Sequence, residues 1–419
     1  MAQVPYGNGD ATCRQRLVSD GFSHDILIQK GLIVLGQLII APIGTPAIRF
    51  GICQRCLSAD TRSFTCHHGA CRYCRNCLHL GRVCQCDRLG EEDITTPVEP
   101  TELVMPFELS ADQQHISRQL LTWWESRTSG LVHAVCGAGK TEMTFPVIAR
   151  VVNEGKRVLI VSPRRDVAIE WVDRLDAAFS VPVTRRYGGG DKDTIGMITV
   201  ATAPLLVNLR HVFDYVLVDE SDAFPFAFDL ALWWTLRRAG KGLFLFVTAT
   251  PTVWQRQFPT VHLSRRYHGH DLPVPRLVRE TEQAILDFCR QYEALPRLLF
   301  VPTKQDLIRY GELLEVNGFV HKAVSADTNE RTDTLEWLEA TKGIVLATSI
   351  WERGMTVTGV NVAVLDSSHA LFSSRALVQM AGRAGRKPNA PTGDVVFFYH
   401  ERTFRQDRAI REIEEANRR

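Results

Sequence analysis

HAVCGAGKTE, residues 133–142, decides how this chain reads. The apolar run before it (131–135) predicts a strand, and TEMTFPVIARVV after it predicts a helix. Strand, glycine turn and helix are the setting that a phosphate-binding loop needs. Gly137 and Gly139, with Ala138 between them, let backbone N–H groups close around an anionic chain without Cβ clashes. The N-terminus of the following helix brings partial positive charge to the same point. Lys140 can reach the outer phosphates, and the Thr141 hydroxyl can ligate magnesium. Where the usual pattern begins with glycine, Ala134 stands instead.

The flanking sequence supplies a fold for the loop. Upstream, PFELSADQQHISRQLLTWW (106–124) predicts a helix capped at Ser110, with Ile116, Leu120 and Trp124 on one face and Gln113 just inside. Downstream, RVLIVSP (157–163), ITVATAPLL (198–206), DYVLVDESDAFPF (214–226) and GLFLFVTATP (242–251) each predict a strand that ends in polar residues. Strands alternating with helices make a parallel sheet, and ligands gather at the carboxyl ends of its strands. The proline-rich HDLPVPRLV (270–278) interrupts the rhythm. PRLLFVPT (296–303), KGIVLATS (342–349) and NVAVLDSS (361–368) then resume it as a second α/β domain, closed by a charged helix from about Glu401.

Two polar clusters complete a hydrolytic site. Asp219 ends a strand where it can hold magnesium, Glu220 is placed to orient or deprotonate water, and Asp222 ends a D-E-x-D box. Phosphoryl transfer is catalysed mostly by positioning and charge neutralisation, so a cation for the developing charge is still needed. QMAGRAGR (379–386) offers one: Gln379, Arg383 and Arg386 recur every three or four residues and are expected on one face of a helix in the second domain.

At 419 residues the chain is too long for one core. Its 45% hydrophobic and 23% charged content is that of a soluble globular protein, and a net charge of +2 excludes a polycation. The first twenty residues lack the apolar stretch of a signal peptide, and GLIVLGQLII (31–40) is too short to span a bilayer, so it is expected to form one or two strands.

Eight of the eleven cysteines fall between Cys53 and Cys86. Without a secretory signal that density points to metal rather than disulfides. Cys53-x-x-Cys56 and Cys74-x-x-Cys77 stand seventeen residues apart and suit two knuckles closing one zinc tetrahedron. Cys71 would replace Cys74 if the second knuckle began one step earlier, and His67, His68 and His79 lie nearby. A four-cysteine site is closed, so this zinc is expected to be structural, one per chain. Arg55, Arg62, Arg72, Arg75, Arg82 and Arg88 in and beside this segment would suit a phosphate backbone.

In this order AVCGAGKT, SPRRDVA, DESD, TAT, ATSIWERG and QMAGRAGR resemble the second helicase superfamily over residues 106–400, with DESD in place of DEAD or DEAH. The N-terminal CQRC and YCRNCLHLGRV, with VDESDAFPF, YGGG and WERGMTV, are more specifically similar to the ComFA family, the competence ATPases of bacterial DNA uptake. The resemblance implies an α/β architecture of two RecA-like parallel-sheet helicase domains, preceded by a small zinc-ribbon module. The expected divisions are an N-terminal β-rich segment (1–48), the four-cysteine module (49–90), a linker (91–105), an ATP-binding domain (106–269) and a C-terminal domain (270–419).

The resemblance also implies roles. Gln113 would read adenine; Gly137, Ala138, Gly139, Lys140 and Thr141 would hold ATP with magnesium, shared with Asp219. Lys140, Asp219, Glu220, Arg383 and Arg386 would be catalytic, with Gly354 and Gln379 completing the nucleotide site. Thr248 and Thr250 would couple it to DNA, which Pro163, Arg164, Thr202, Thr303 and Thr348 would contact through the backbone. Single-stranded DNA, a competence membrane channel, a ComFC-like partner and self-association are the implied partners, at the cytoplasmic face of the cell membrane. A PriA-like restart or repair helicase is the alternative, but in PriA the zinc module lies within the helicase region and the box ends in histidine.

Overall fold

The computed structural model describes residues 36–41, 45–78, 81–93, 99–190, 194–222, 230–325, 331–348 and 357–418. It opens with short strands: β1 (Gly36–Ala41), β2 (Thr45–Pro46), β3 (Ile48–Arg49), β4 (Ile52–Cys53), β5 (Thr61–Cys66), β6 (Gly69–Cys74) and β7 (Arg88–Asp93). β3–β4 and β5–β6 are antiparallel hairpins, and β7 pairs antiparallel with both β1 and β2. The strand expected within 31–40 is present as β1, with residues 31–35 outside the described set. β7 runs to Asp93, into the segment expected as linker, because β1 offers it a partner along its whole length, from Gly36 opposite Asp93 to Ala41 opposite Arg88. Among the described residues the apolar cluster of this part is small: Ala47, Cys53, Cys74, Cys77, Val83 and Leu89, with Cys56 packed against it. So few apolar side chains cannot hold a segment of this size alone.

The first large sheet is built from α1 (Ala111–Glu125), β8 (Gly130–Ala134), α2 (Phe145–Asn153), β9 (Val158–Ser162), α3 (Arg165–Ala178), β10 (Val183–Arg186), β11 (Ile198–Thr202), β12 (Tyr215–Asp219), α4 (Leu230–Ala239), β13 (Phe244–Thr248) and β14 (Thr260–Leu263). Its strand order is β10-β11-β9-β12-β13-β8-β14. β9 and β12 are buried at every residue, as unbroken Val/Leu/Ile runs must be when helices cover both faces of a parallel sheet.

The second sheet comprises β15 (Arg276–Arg279), α5 (Glu282–Gln291), β16 (Arg297–Val301), α6 (Lys304–Val316), β17 (His321–Val324), α7 (Arg331–Thr341), β18 (Ile344–Thr348), β19 (Asn361–Val364), α8 (Ser374–Ala381), β20 (Val395–Tyr399) and α9 (Phe404–Arg418). The strand order β15-β20-β19-β16-β18-β17 is parallel throughout. The two sheets are RecA-like parallel-sheet domains. The compact units divide differently: the described residues of 1–106, 121–129 and 146–246 form one, and those of 107–120, 130–145 and 247–419 the other.

Two local expectations are corrected. The helix after the phosphate loop begins as a 3-10 turn over Glu142–Thr144 and becomes α-helical only at Phe145, where Pro146 enters the first turn. α8 ends at Ala381, so only Gln379 of the expected trio is helical; Arg383 lies in the turn that follows and Arg386 just past it. Gly382 ends the helix and Gly385 takes a left-handed φ of +66°. Among the described residues no helix is long and apolar enough to cross a membrane.

Candidate functional site

The phosphate loop has the backbone its glycines were expected to provide: φ is +80° at Gly137 and +70° at Gly139. Both conformations are left-handed, and the Ala138 N–H between them donates back to the Val135 carbonyl at 3.3 Å, which tightens the turn. Lys140 and Thr141 follow, both half-buried. Ser110 caps α1 in a reciprocal box: its Oγ accepts the Gln113 N–H at 3.3 Å, and Gln113 Oε1 accepts the Ser110 N–H at 2.9 Å. Gln113 Nε2 then donates to the carbonyls of Ala138 (2.9 Å) and Gly139 (3.2 Å). The side chain expected to read adenine is thus also a brace for the phosphate loop.

The arginine turn lies against the same loop, within one compact unit. A Cβ on Gly137 would sit 3.5 Å from Arg266 Nε and 3.7 Å from Arg386 Cγ. Cys136 Sγ donates to Gln379 Oε1 at 3.0 Å. Arg266, just past β14 and 2% exposed, donates to the carbonyls of Cys136 (3.3 Å), Gly382 (3.2 Å), Ala384 (2.7 Å) and Gly385. Its charge faces the carbonyl end of α8, where the helix dipole is negative. Burial, with Arg386 nearby, pushes this guanidinium down to about 10. Tyr267 donates its hydroxyl to Arg386 O (3.2 Å), and the His268 ring lies 3.1 Å from Gly385 O. Sequence reading missed all three. RRYHGH is an unremarkable polar run until the fold brings residues more than a hundred positions later beside it.

The carboxylate box lies at the carboxyl end of β12, in the other compact unit. Asp219 Oδ2 accepts the indole N–H of Trp171 from α3 at 2.8 Å, and its Oδ1 accepts the Glu220 N–H at 2.9 Å. Glu220 holds a left-handed φ of +48°, a strained conformation for a residue with a side chain. Ser221 and Asp222 are buried behind it. Trp171 is a fourth missed residue, since a buried tryptophan on an amphipathic helix reads as core.

The remaining strand-end residues divide. Thr248, the last residue of β13, and Thr250 just past it are buried, with the Thr250 N–H donating to Thr248 Oγ1 at 3.1 Å. Pro163, Arg164, Thr202 and Thr348 are half-buried at strand ends, and Arg164 makes a two-pronged pair with Asp166 at 2.8 and 3.1 Å. Thr303 caps α6 in a box with Asp306, which uses the N–H and hydroxyl that a phosphate contact would need. Gly354 lies outside the described residues.

In the N-terminal part, the Sγ atoms of Cys53, Cys56, Cys74 and Cys77 all lie within 4.8 Å of one another. Cys53 and Cys77 are 3.8 Å apart and Cys56 and Cys74 3.4 Å. A tetrahedral zinc with Zn–S bonds of about 2.3 Å separates its sulfurs by about 3.8 Å, so the donors fit that ion. Hydrogen bonds from Cys56, Cys74 and Cys77 hold the Cys53 thiol far below its ordinary range. Arg55, expected to be available to DNA, is instead buried. It donates to Cys77 Sγ (3.3 Å) and to the carbonyls of Cys77 (3.2 Å) and Gly81. Arg238 of α4 donates to the carbonyls of Gln54 (3.2 Å) and Arg55, docking the first knuckle; burial, with Arg210 beside it, pushes Arg238 down to about 10.

Family profiles match three segments: residues 24–91 the ComFA N-terminal domain, 106–252 the type III restriction enzyme res subunit, and 280–388 the helicase conserved C-terminal domain. The fold is shared with S. cerevisiae Dbp5 bound to RNA and ADP BeF3 (TM-score 0.55, 16% identity, 74% of this chain and 88% of that one). It is shared too with RecG bound to a three-way DNA junction (TM-score 0.54, 18% identity, 74% and 47%). Fold and profiles together define an ATP-hydrolysing, helicase-type enzyme with two RecA-like domains. The chain is 31% identical over 394 residues to the competence protein ComFA of Bacillus subtilis strain 168, covering 87% of this chain and 85% of that protein. It is 32% identical over 396 residues to ComFA of Streptococcus pneumoniae R6, covering 87% and 90%. It belongs to the ComFA family of competence proteins.

Proposed function

We propose that this chain is an ATP-driven motor that moves single-stranded DNA during natural transformation, working at the inner face of the cell membrane beside the uptake channel. The observation that carries the reading is the tie between the phosphate loop and the arginine turn, through Cys136–Gln379 and the Arg266 clamp. A motor needs its charge-stabilising arginines to respond to the state of the nucleotide, and here they share a framework with the loop.

In this reading Gly137, Ala138, Gly139, Lys140 and Thr141 bind the phosphates of ATP. Thr141 and Asp219 hold magnesium, which neutralises phosphate charge when bound. Gln113 braces the loop and meets the base, while Gln379 and Gly354 complete the nucleotide site. Glu220 orients the attacking water, and its strained backbone supports a role in chemistry rather than packing. Arg383 and Arg386 stabilise the charge that develops on the transferred phosphate. Thr248 and Thr250 link hydrolysis to DNA, whose backbone Pro163, Arg164, Thr202 and Thr348 track without reading sequence. The channel, a ComFC-like protein and further copies of the chain are the partners of this reading.

The test is magnesium-dependent ATP hydrolysis measured with single-stranded DNA, duplex DNA and RNA. Hydrolysis should be weak alone and rise with single-stranded DNA, and Lys140→Ala should abolish it. Near-normal DNA-stimulated turnover in Lys140→Ala would show that the site is misplaced. Equal stimulation by RNA would remove the assignment to DNA.

A further inference from the structure

We propose that Cys66, Cys71 and Cys86 form a second zinc site, separate from the four-cysteine site and held by three thiolates. Their Sγ atoms lie within 4.8 Å of one another, with Cys71 and Cys86 3.6 Å apart. That spacing falls between the two sulfur separations quoted for the first site, 3.4 and 3.8 Å. It is far from the roughly 2.05 Å of a disulfide and close to the edge, about 3.8 Å, of a zinc–thiolate tetrahedron.

The backbone brings these residues together. Cys66 ends β5 and pairs with Gly69 across the hairpin tip, so His67 and His68 form its two-residue loop. The His68 N–H donates to Cys66 Sγ at 3.4 Å, a contact that favours the anionic sulfur. Cys71 stands on β6 three residues before Cys74. Side chains on a strand alternate between faces, so Cys71 and Cys74 project from opposite sides and cannot serve one tetrahedron. The segment carrying Cys86 is laid along β6 by the bridge between Tyr73 and Cys84 and by Gln85 N–H donating to Arg72 O at 2.7 Å. Each cluster therefore takes one cysteine from β6.

The same placement gives the site a purpose. The apolar core of this part lies around the first cluster and contains none of Cys66, Cys71 and Cys86. The tip of the β5–β6 hairpin and Cys86 stand outside that cluster, and a metal would tie them together. Cys71 is buried, while Cys66 and Cys86 are half-buried. A fourth donor comes from the exposed side, as water or one of the two loop imidazoles.

The experiment uses the full chain, purified reduced and without chelator. Native mass spectrometry and elemental analysis should find about two zinc ions per chain, where the two knuckles alone predict about one. Cys66→Ser/Cys71→Ser/Cys86→Ser should keep about one, and Cys53→Ser/Cys56→Ser should lose the other. Cadmium-113 NMR of the unaltered chain needs no variant to fold: it should show one resonance of a four-thiolate site and a second, upfield, of a three-thiolate site. A single zinc with a single four-thiolate resonance would overturn the proposal. So would a triple variant with unchanged metal content, or a Cys71–Cys86 disulfide in protein holding one zinc.

Discussion

Arg266→Met tests whether the arginine turn works through its tie to the phosphate loop. The substitution keeps an apolar stem of similar length and removes every donor to Cys136, Gly382, Ala384 and Gly385. Hydrogen bonds from a charged donor contribute about 1.5–3 kcal/mol each, and the two to Ala384 and Gly385 have the better geometry, so the gross loss is about 3–6 kcal/mol. Burial offsets much of this: a guanidinium pushed from 12.5 down to about 10 carries an opposing cost of about 3 kcal/mol. The net stability loss should therefore be modest, about 2 kcal/mol. Catalysis should lose more. Arg383 and Arg386 would no longer be held in place, and misplacement of a catalytic group by about 1 Å costs roughly a hundredfold. DNA-stimulated kcat should fall by about that factor while ATP affinity stays nearly constant. Arg386→Ala should show the same split. Because both changes act through the same arginine turn, the double variant should lose less than the product of the singles. A kcat within about threefold of the parent, or losses that simply multiply in the double variant, would refute the reasoning.

Trp171→Phe removes the indole donor to Asp219, a contact to an ionised acceptor worth about 1.5–3 kcal/mol. The magnesium concentration for half-maximal hydrolysis should rise several-fold; if stability falls and that midpoint does not move, Trp171 is a packing residue only. Cys289, fully buried in the second core, has its thiol pushed up to about 12 by burial from an ordinary value of 9.0. A raised folded pKa means stability that is complete below about pH 9 and is lost as pH climbs towards 12. From pH 8 to pH 10 the parent should lose about 1.4 kcal/mol more than Cys289→Ala in denaturant unfolding, and parallel pH profiles would contradict the assignment.

The phosphate loop was legible because its conformation is local. Gly137 and Gly139 adopt positive φ, a property of the residue type rather than of distant partners. Apolar runs such as RVLIVSP, PRLLFVPT and NVAVLDSS marked β9, β16 and β19 because strands buried on both faces need continuous hydrophobicity. The more polar β10, β14, β15 and β17 carried no such signal, and β7 became a strand only because β1 lies beside it. Spacing alone suited a helix through QMAGRAGR, but Gly382 and Gly385 stop it, so Arg383 and Arg386 lie beyond the helix end.

By itself, then, the sequence determined the chemistry on offer: a glycine loop for phosphate, carboxylates at a strand end, a cluster of arginines and a surplus of thiols. Each depends on residue type and short spacing, which the chain carries wherever it folds. Tertiary structure alone decided which partners these groups meet. Arg266 reaches carbonyls more than a hundred residues away, Trp171 finds Asp219 across a helix–strand contact, and Arg238 docks a cysteine knuckle that precedes it by about 180 positions. The same holds for Cys71 and Cys74: spacing left either of them open as a ligand of the first cluster, and the alternation of β6 separates them. Such pairings depend on which strands become neighbours and which face each side chain takes, and both are settled by burial over the whole sheet.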